Sequence, residues 1–313
     1  GLGTDAIAAL GSVQVAALGS AQLAALDSEQ LRALNGTQLR ALTSAQLASL
    51  ATEDLNALTS SQLQSLGSSQ IAALTSQQIR AMESEDFAAL TTAQLRGMET
   101  RDLAALASAD VAQFSSSQLA GLASTQLRAL ASDAIVGIGT DALGALSGAQ
   151  VAALTTAQVA GLSTEQLAGL SSAQLRGLGS AQLAALGTEH LNVLGSDQIA
   201  ALTSSQIASL TSSQIGNLET QDFAALSTAQ LRGIEAADFG ALTASHLAVL
   251  SSAQIAALTS SQLLTLDSSD IAAIATTSLA GLSASQVAAL GTAQLAAMGS
   301  EQLQALTSAQ LAG

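Results

Sequence analysis

A large aliphatic residue or Phe stands at every eighth position from Leu2 to Leu306, and a second follows five places after each, so residues 2–313 divide into 39 octads without an insertion or deletion. Lettering each octad a to h from the first apolar position, Leu42-Thr43-Ser44-Ala45-Gln46-Leu47-Ala48-Ser49 is one unit. Positions a and f are apolar in all 39. Position c is Ser or Thr in 34, e is Gln in 26 and Asp in seven, b is Gly in ten, and g and h are mostly Ala or Gly. Repetition at a fixed short period marks an array in which each unit is buried only against its neighbours.

The pattern excludes one long helix. At about 100° per residue an octad turns about 800°, so the apolar stripe slips by about 80° per repeat, more than supercoiling absorbs. The helix must therefore break once per octad. Ser or Thr at c can cap a helix through its hydroxyl, as Ser44 would for the amide of Gln46 or Leu47. The b-to-e spacing of Thr43 and Gln46 equally matches a capping box, with Leu42 and Leu47 as its hydrophobic staple. Both registers predict a helix of about one and a half turns over d to h and a corner at a to c, where Gly supplies unusual backbone angles. The fold class is accordingly all-α, a solenoid of 39 very short capped helices. A β-solenoid is the alternative. It fits poorly, because the a–f and f–a intervals are odd and would put the two apolar columns on opposite faces of a strand, and Gln-Leu-Ala-Ala is weak strand material.

A longer period lies above the octad. Met82-Glu83-Ser84-Glu85-Asp86-Phe87 returns 17 octads later as Leu218-Glu219-Thr220-Gln221-Asp222-Phe223, and Leu95-Arg96-Gly97 as Leu231-Arg232-Gly233. The chain reads as one continuous solenoid over 1–313, with long units 2–137 and 138–273 and a partial third, 274–313. Gly1 to Ala9 and Leu306 to Gly313 are ordinary octads rather than the atypical polar repeats that close a solenoid. The expectation is either a segment of a longer array or ends that stack on neighbouring copies as a fibre.

Composition narrows the chemistry. The chain has no Cys, eight Arg and no Lys against 23 acidic residues, and a net charge of −15. Such a surface repels nucleic acid, and no run approaches the roughly 20 apolar residues of a membrane span. Without Cys there are no disulfides or thiolate metal sites.

The candidate metal site is the set of Glu-x-x-Asp octads, Glu83/Asp86 with Glu99/Asp102 and Glu219/Asp222 with Glu235/Asp238. If two octads made one turn, carboxylates two octads apart would meet and suit Ca²⁺. The simpler use is helix capping. Arg96 and Arg232 lie between the paired acidic octads and are expected to form cross-octad ion pairs. His190 and His246 replace Gln at e and read as one polar group standing in for another. Phe87, Phe114, Phe223 and Phe239 fall at a or f and read as core. The Ser/Thr columns read first as caps and second as a ladder for glycan or ice. No catalytic constellation is visible, so the chain is expected not to be an enzyme and to carry no cofactor, calcium being the one candidate ion.

The octad core Leu-Thr/Ser-Ser/Thr-x-Gln-Leu-Ala, seen at 42–48 and 306–312 and with Val159 for the second Leu at 154–160, resembles repeat regions of very large secreted or surface bacterial proteins of adhesin-like or matrix-like character. The resemblance implies an extracellular, structural, self-associating protein of a filament, sheath or surface layer. A glycan-, ice- or calcium-binding adhesin module is the other expectation.

Overall fold

The computed structural model describes residues 3–311; Gly1, Leu2, Ala312 and Gly313, which belong to the terminal octads, lie outside the described residues. The described chain is helical throughout and contains no strand, which disposes of the β-solenoid. It divides into two compact units, residues 1–162 and 163–313, each a solenoid of helices four to six residues long with one 3₁₀ turn, Ile135–Gly137, in the first.

Local structure settles the cap register in favour of b. Thr43 is extended (φ −73°, ψ 157°) and its Oγ1 accepts from the Gln46 amide at 3.3 Å, while the Thr43 amide donates to Gln46 Oε1 at 2.6 Å. The helix is then Ser44–Ala48, so c is the first helical residue and the corner runs through h, a and b, one place earlier than the d-to-h expectation. The shift follows from the box itself: two reciprocal bonds between b and e satisfy two orphan amides, where a cap at c satisfies one. With Gly at b only the amide-to-Gln half remains, as in Gly179–Gln182 at 2.6 Å. Among the described residues none has positive φ, so the corner glycines do not supply unusual angles; b-position Gly is extended like the Thr it replaces.

Helices this short have almost no interior, and nearly every amide and carbonyl is an end group. They cannot persist alone and are ordered by packing across turns. In the first unit Ser68–Ile71 packs on Thr92–Gly97, and in the second Ser204–Ile207 packs on Thr228–Gly233, in each case three octads along. Bonds between turns span 25 to 31 residues around a step of 28, so one turn takes about three and a half octads. Octads in successive turns are consequently staggered like bricks, each helix start lying over the end of a helix below. The a and f side chains fill the interior: Leu47, Leu63 and Leu95 in the first unit and Leu231, Leu247 and Ile255 in the second are fully buried.

The e-position Gln ties the turns together. Gln94 is 2% exposed; its Oε1 accepts from the Thr91 amide at 2.7 Å, and its Nε2 donates to the carbonyls of Leu63 and Leu66 at 2.7 and 2.8 Å, 31 and 28 residues back. Gln262 repeats this in the second unit, from the Thr259 amide (2.9 Å) to Leu231 and Ile234 (2.7 and 2.8 Å). One amide thus closes the start of its own helix and the end of another. Glycine at h permits the close approach beside it: a Cβ on Gly281 would stand 2.2 Å from the Ser252 carbonyl oxygen.

The bridge and the close approach can each be tested by substitution. Gln94→Glu keeps the acceptor but sets a carboxylate against two buried carbonyls, and chemical denaturation at pH 7 is expected to show a loss of about 1–3 kcal/mol, while Gln14→Glu, at an exposed e position, changes little. Gly281→Ala is expected to cost about 1–3 kcal/mol through the clash. Gly144→Ala, where nothing lies within 4 Å of the new methyl, is expected to gain about 0.5–1 kcal/mol in the same measurement.

Candidate functional site

The functional side chains of this array sit at e and its neighbours c and g, the positions whose side chains reach from one turn to the next. The carboxylates expected to gather around Ca²⁺ do not gather. With about three and a half octads per turn, carboxylates two octads apart stand on the same turn rather than on adjacent ones, and among the described residues no group of three or more His, Asp or Glu is placed to hold a metal ion. Glu83, Asp86, Glu99, Asp102, Glu219, Asp222, Glu235 and Asp238, the residues expected to meet around calcium, are thus not brought together as one donor set. Glu83, Glu99, Glu219 and Glu235 are exposed N-cap residues that make no side-chain cap bond, and Asp86, Asp102, Asp222 and Asp238 turn inward at e.

Asp at e has a partner of its own on the adjacent turn. Ser76 donates to Asp102 (2.6 Å), Ser84 to Asp110 (2.8 Å), Ser196 to Asp222 (2.6 Å) and Ser212 to Asp238, each from a c position 26 residues earlier. A carboxylate accepts but cannot donate, so it recruits a hydroxyl where Gln would offer an amide to a carbonyl. Asp102 is 1% exposed and also receives Arg101 Nε at 3.5 Å; Arg101 pairs with Glu99 at 3.1 Å as well. Asp110, which lies outside that set, also closes the start of its own helix, accepting from the Ala107 amide at 2.8 Å.

Arginine does not form the expected cross-octad pairs. Arg96 and Arg232 make no ion pair among the described residues. The g position lies beside the h carbonyl 25 residues on, and Arg32, Arg40 and Arg176 donate Nε there, to Ala57, Ser65 and Ala201. Asn56 uses the same contact, bonding the Ala81 carbonyl at 2.5 Å. The guanidinium thus serves the carbonyl end of another helix, a role that its place in the octad did not reveal.

The histidines are Gln substitutes, as expected. His246 Nδ1 faces the Thr243 amide at 3.2 Å and Nε2 faces the Leu218 carbonyl at 2.8 Å, 28 residues back. In a neutral imidazole that geometry puts the proton on Nε2, giving one acceptor and one donor and matching an amide. His246 is 4% exposed and packs edge-on against Phe223, ring centroids 5.2 Å apart. His190 Nδ1 accepts from the Gly187 amide at 3.1 Å. All four Phe are buried, and Phe87 meets Phe114 edge-on at 6.4 Å, so they are core.

The hydroxyl columns divide their work. Hydroxyls at b cap helices, while those at c, lying inside the first turn, are free of that duty; Ser76, Ser84, Ser196 and Ser212 use theirs on Asp. Each unit has a shallow surface notch, of about 380 Å³ around Ala51 and Thr52 in the first and about 490 Å³ around Ala275 and Thr276 in the second. No helix of the described residues is long and apolar enough to cross a membrane.

The profile of the ALTTAQ repeat family matches the chain in 13 overlapping segments from 1–28 to 287–313, leaving only 85–96 and 213–214 outside. No curated protein matches. The crystal structure of LegL7, a leucine-rich repeat-containing protein from Legionella pneumophila, is similar over 77% of this chain and 78% of that chain at 14% identity, with a TM-score of 0.19, too low to carry an argument.

His246→Gln is expected to leave the melting temperature within about 1 °C of wild type at pH 7, and His246→Ala to lower it by several degrees, since only the first replaces both the acceptor and the donor. Equal losses in calorimetry would contradict the equivalence.

Proposed function

This chain belongs to the ALTTAQ repeat family, and from that premise we propose that it is a non-catalytic structural protein, a self-associating solenoid that forms or decorates an extracellular filament, sheath or surface layer. The observation that carries the reading is the Gln bridge between turns. Wherever e is a buried Gln, a turn is fastened to the next by the same donors and acceptors, so a unit gains length by repeating one contact, which suits a scaffold or spacer. Several side chains at e that are capable of acid–base chemistry, Asp102 and His246 among them, are occupied in bonds between turns. A net charge of −15 keeps such an assembly hydrated and repels polyanions.

A second reading, an adhesin-like module gripping glycan, is favoured by one feature: the c hydroxyls are spared from capping and recur along each unit at the step of the octad. Electron microscopy of the purified chain over a concentration series separates the two. Ordered filaments or lateral arrays are expected on the first reading. Monomers that stay dispersed and are retained on a glycan array would replace it with the second.

A further inference from the structure

We propose that Asp86 and Asp270 are acid-operated latches between turns: on taking up a proton, each carboxyl does what Gln does at e, accepting from the amide of its own b residue and donating to a main-chain carbonyl of the preceding turn, that of Leu58 or Leu242. Four of the seven Asp at e are supported as carboxylates by a Ser hydroxyl from the adjacent turn. Asp86 and Asp270 are not. The residue 26 before Asp270 is Ala244, which has no hydroxyl, and Ser60, 26 before Asp86, makes no such bond. Both carboxyls are nonetheless buried, with 9% and 6% of their residue surface exposed.

Opposite each lies an acceptor in want of a donor. The carbonyls of Leu66 and Ile234 each receive a Gln amide, whereas among the described residues no donor reaches those of Leu58 and Leu242. The span is within reach, because Ser278, with a shorter side chain at the same position, donates to the Leu250 carbonyl at 2.8 Å. The other half of the Gln contact is already made at Asp270, whose Oδ2 accepts from the Asp267 amide at 3.1 Å. A carboxylate leaves the facing carbonyl unpaired, and a carboxylic acid pairs it.

The surroundings favour the acid. Around Asp86 stand Glu83 and Glu85 on its own octad and Asp110 on Ser108–Val111, while Ser60–Ser65 offers no charge. Burial, and after it the charge of Glu83, pushes the Asp86 carboxyl above its ordinary range, against the Glu83 amide. Asp270 faces His246 on Ala244–Ala248 and has Asp267 beside it, and Thr292–Ala296 brings no titratable group. Burial again raises it most; the Asp267 amide and His246 oppose, and the Asp267 charge adds. A carboxyl raised in the folded state contributes stability that is complete below its unfolded value and is lost as pH rises through the folded value, so mild acid tightens the turn holding it.

The test is a pH titration of the full chain labelled with ¹³C at the Asp carboxyls, assigned with single Asn variants, together with melting of those variants. Asp86 and Asp270 are expected to titrate above the ordinary Asp range. Asp86→Asn and Asp270→Asn, which mimic the acid, are expected to raise the melting temperature at pH 7 by about 2–4 °C, a gain that vanishes toward pH 4, while Asp102→Asn and Asp222→Asn lower it at pH 7 by removing the charge that holds Ser76 and Ser196. Midpoints at or below the ordinary range, or equal shifts in all four variants, as relief of net charge alone would give, overturn the proposal.

Discussion

The solenoid depends on a single side-chain amide doing two jobs. A five-residue helix leaves most of its amides and carbonyls without partners inside itself, and burying such groups unpaired is costly. Gln at e removes the difficulty at both ends: Oε1 closes the start of its own helix, and Nε2 serves two carbonyls at the end of a helix one turn away, as Gln94 does for Thr91, Leu63 and Leu66. The stagger of about three and a half octads per turn puts start over end, and a whole number of octads would instead set start over start. Apolar burial at a and f then holds turns that are already satisfied in their hydrogen bonds.

The other residues admitted at e form a small vocabulary with one requirement, to accept at the near side and to donate, or be donated to, at the far side. His246 meets it with its two ring nitrogens, and Ser278 meets the far half with a hydroxyl. Asp meets the near half and depends on its surroundings for the rest, which separates the Ser-supported Asp102 and Asp222 from Asp86 and Asp270. Polar residues that resemble a ligand set in one dimension are, in three, parts of the inter-turn fastening. The structural role proposed for the chain has the same basis, since its polar chemistry faces inward, turn to turn.

Much of this architecture was legible from spacing. The slip of the apolar stripe from octad to octad required a break, the odd a–f interval opposed a strand, and the Thr43–Gln46 spacing offered the box that forms. Those are local properties of a single repeat. What spacing did not reveal was non-local: Gln has a second engagement 28 to 31 residues away, and the number of octads per turn follows from that engagement rather than from the octad. The two octads per turn assumed for Glu83/Asp86 and Glu99/Asp102 gave way there to a longer turn. Arg at g was opaque for the same reason, since its partner is the carbonyl 25 residues on. The h glycines offered a usable signal: small residues recur where a neighbouring backbone passes closely, as Ser252 does at Gly281.

The most direct measure of the bridge is hydrogen exchange of the Gln side-chain amide protons, read by NMR on chain labelled with ¹⁵N at Gln Nε2. If these amides link the turns, protons of buried Gln such as Gln94, Gln214 and Gln262 exchange slower by orders of magnitude than those of exposed Gln14 and Gln22. Uniform exchange at the rate of free glutamine would contradict the account at its root.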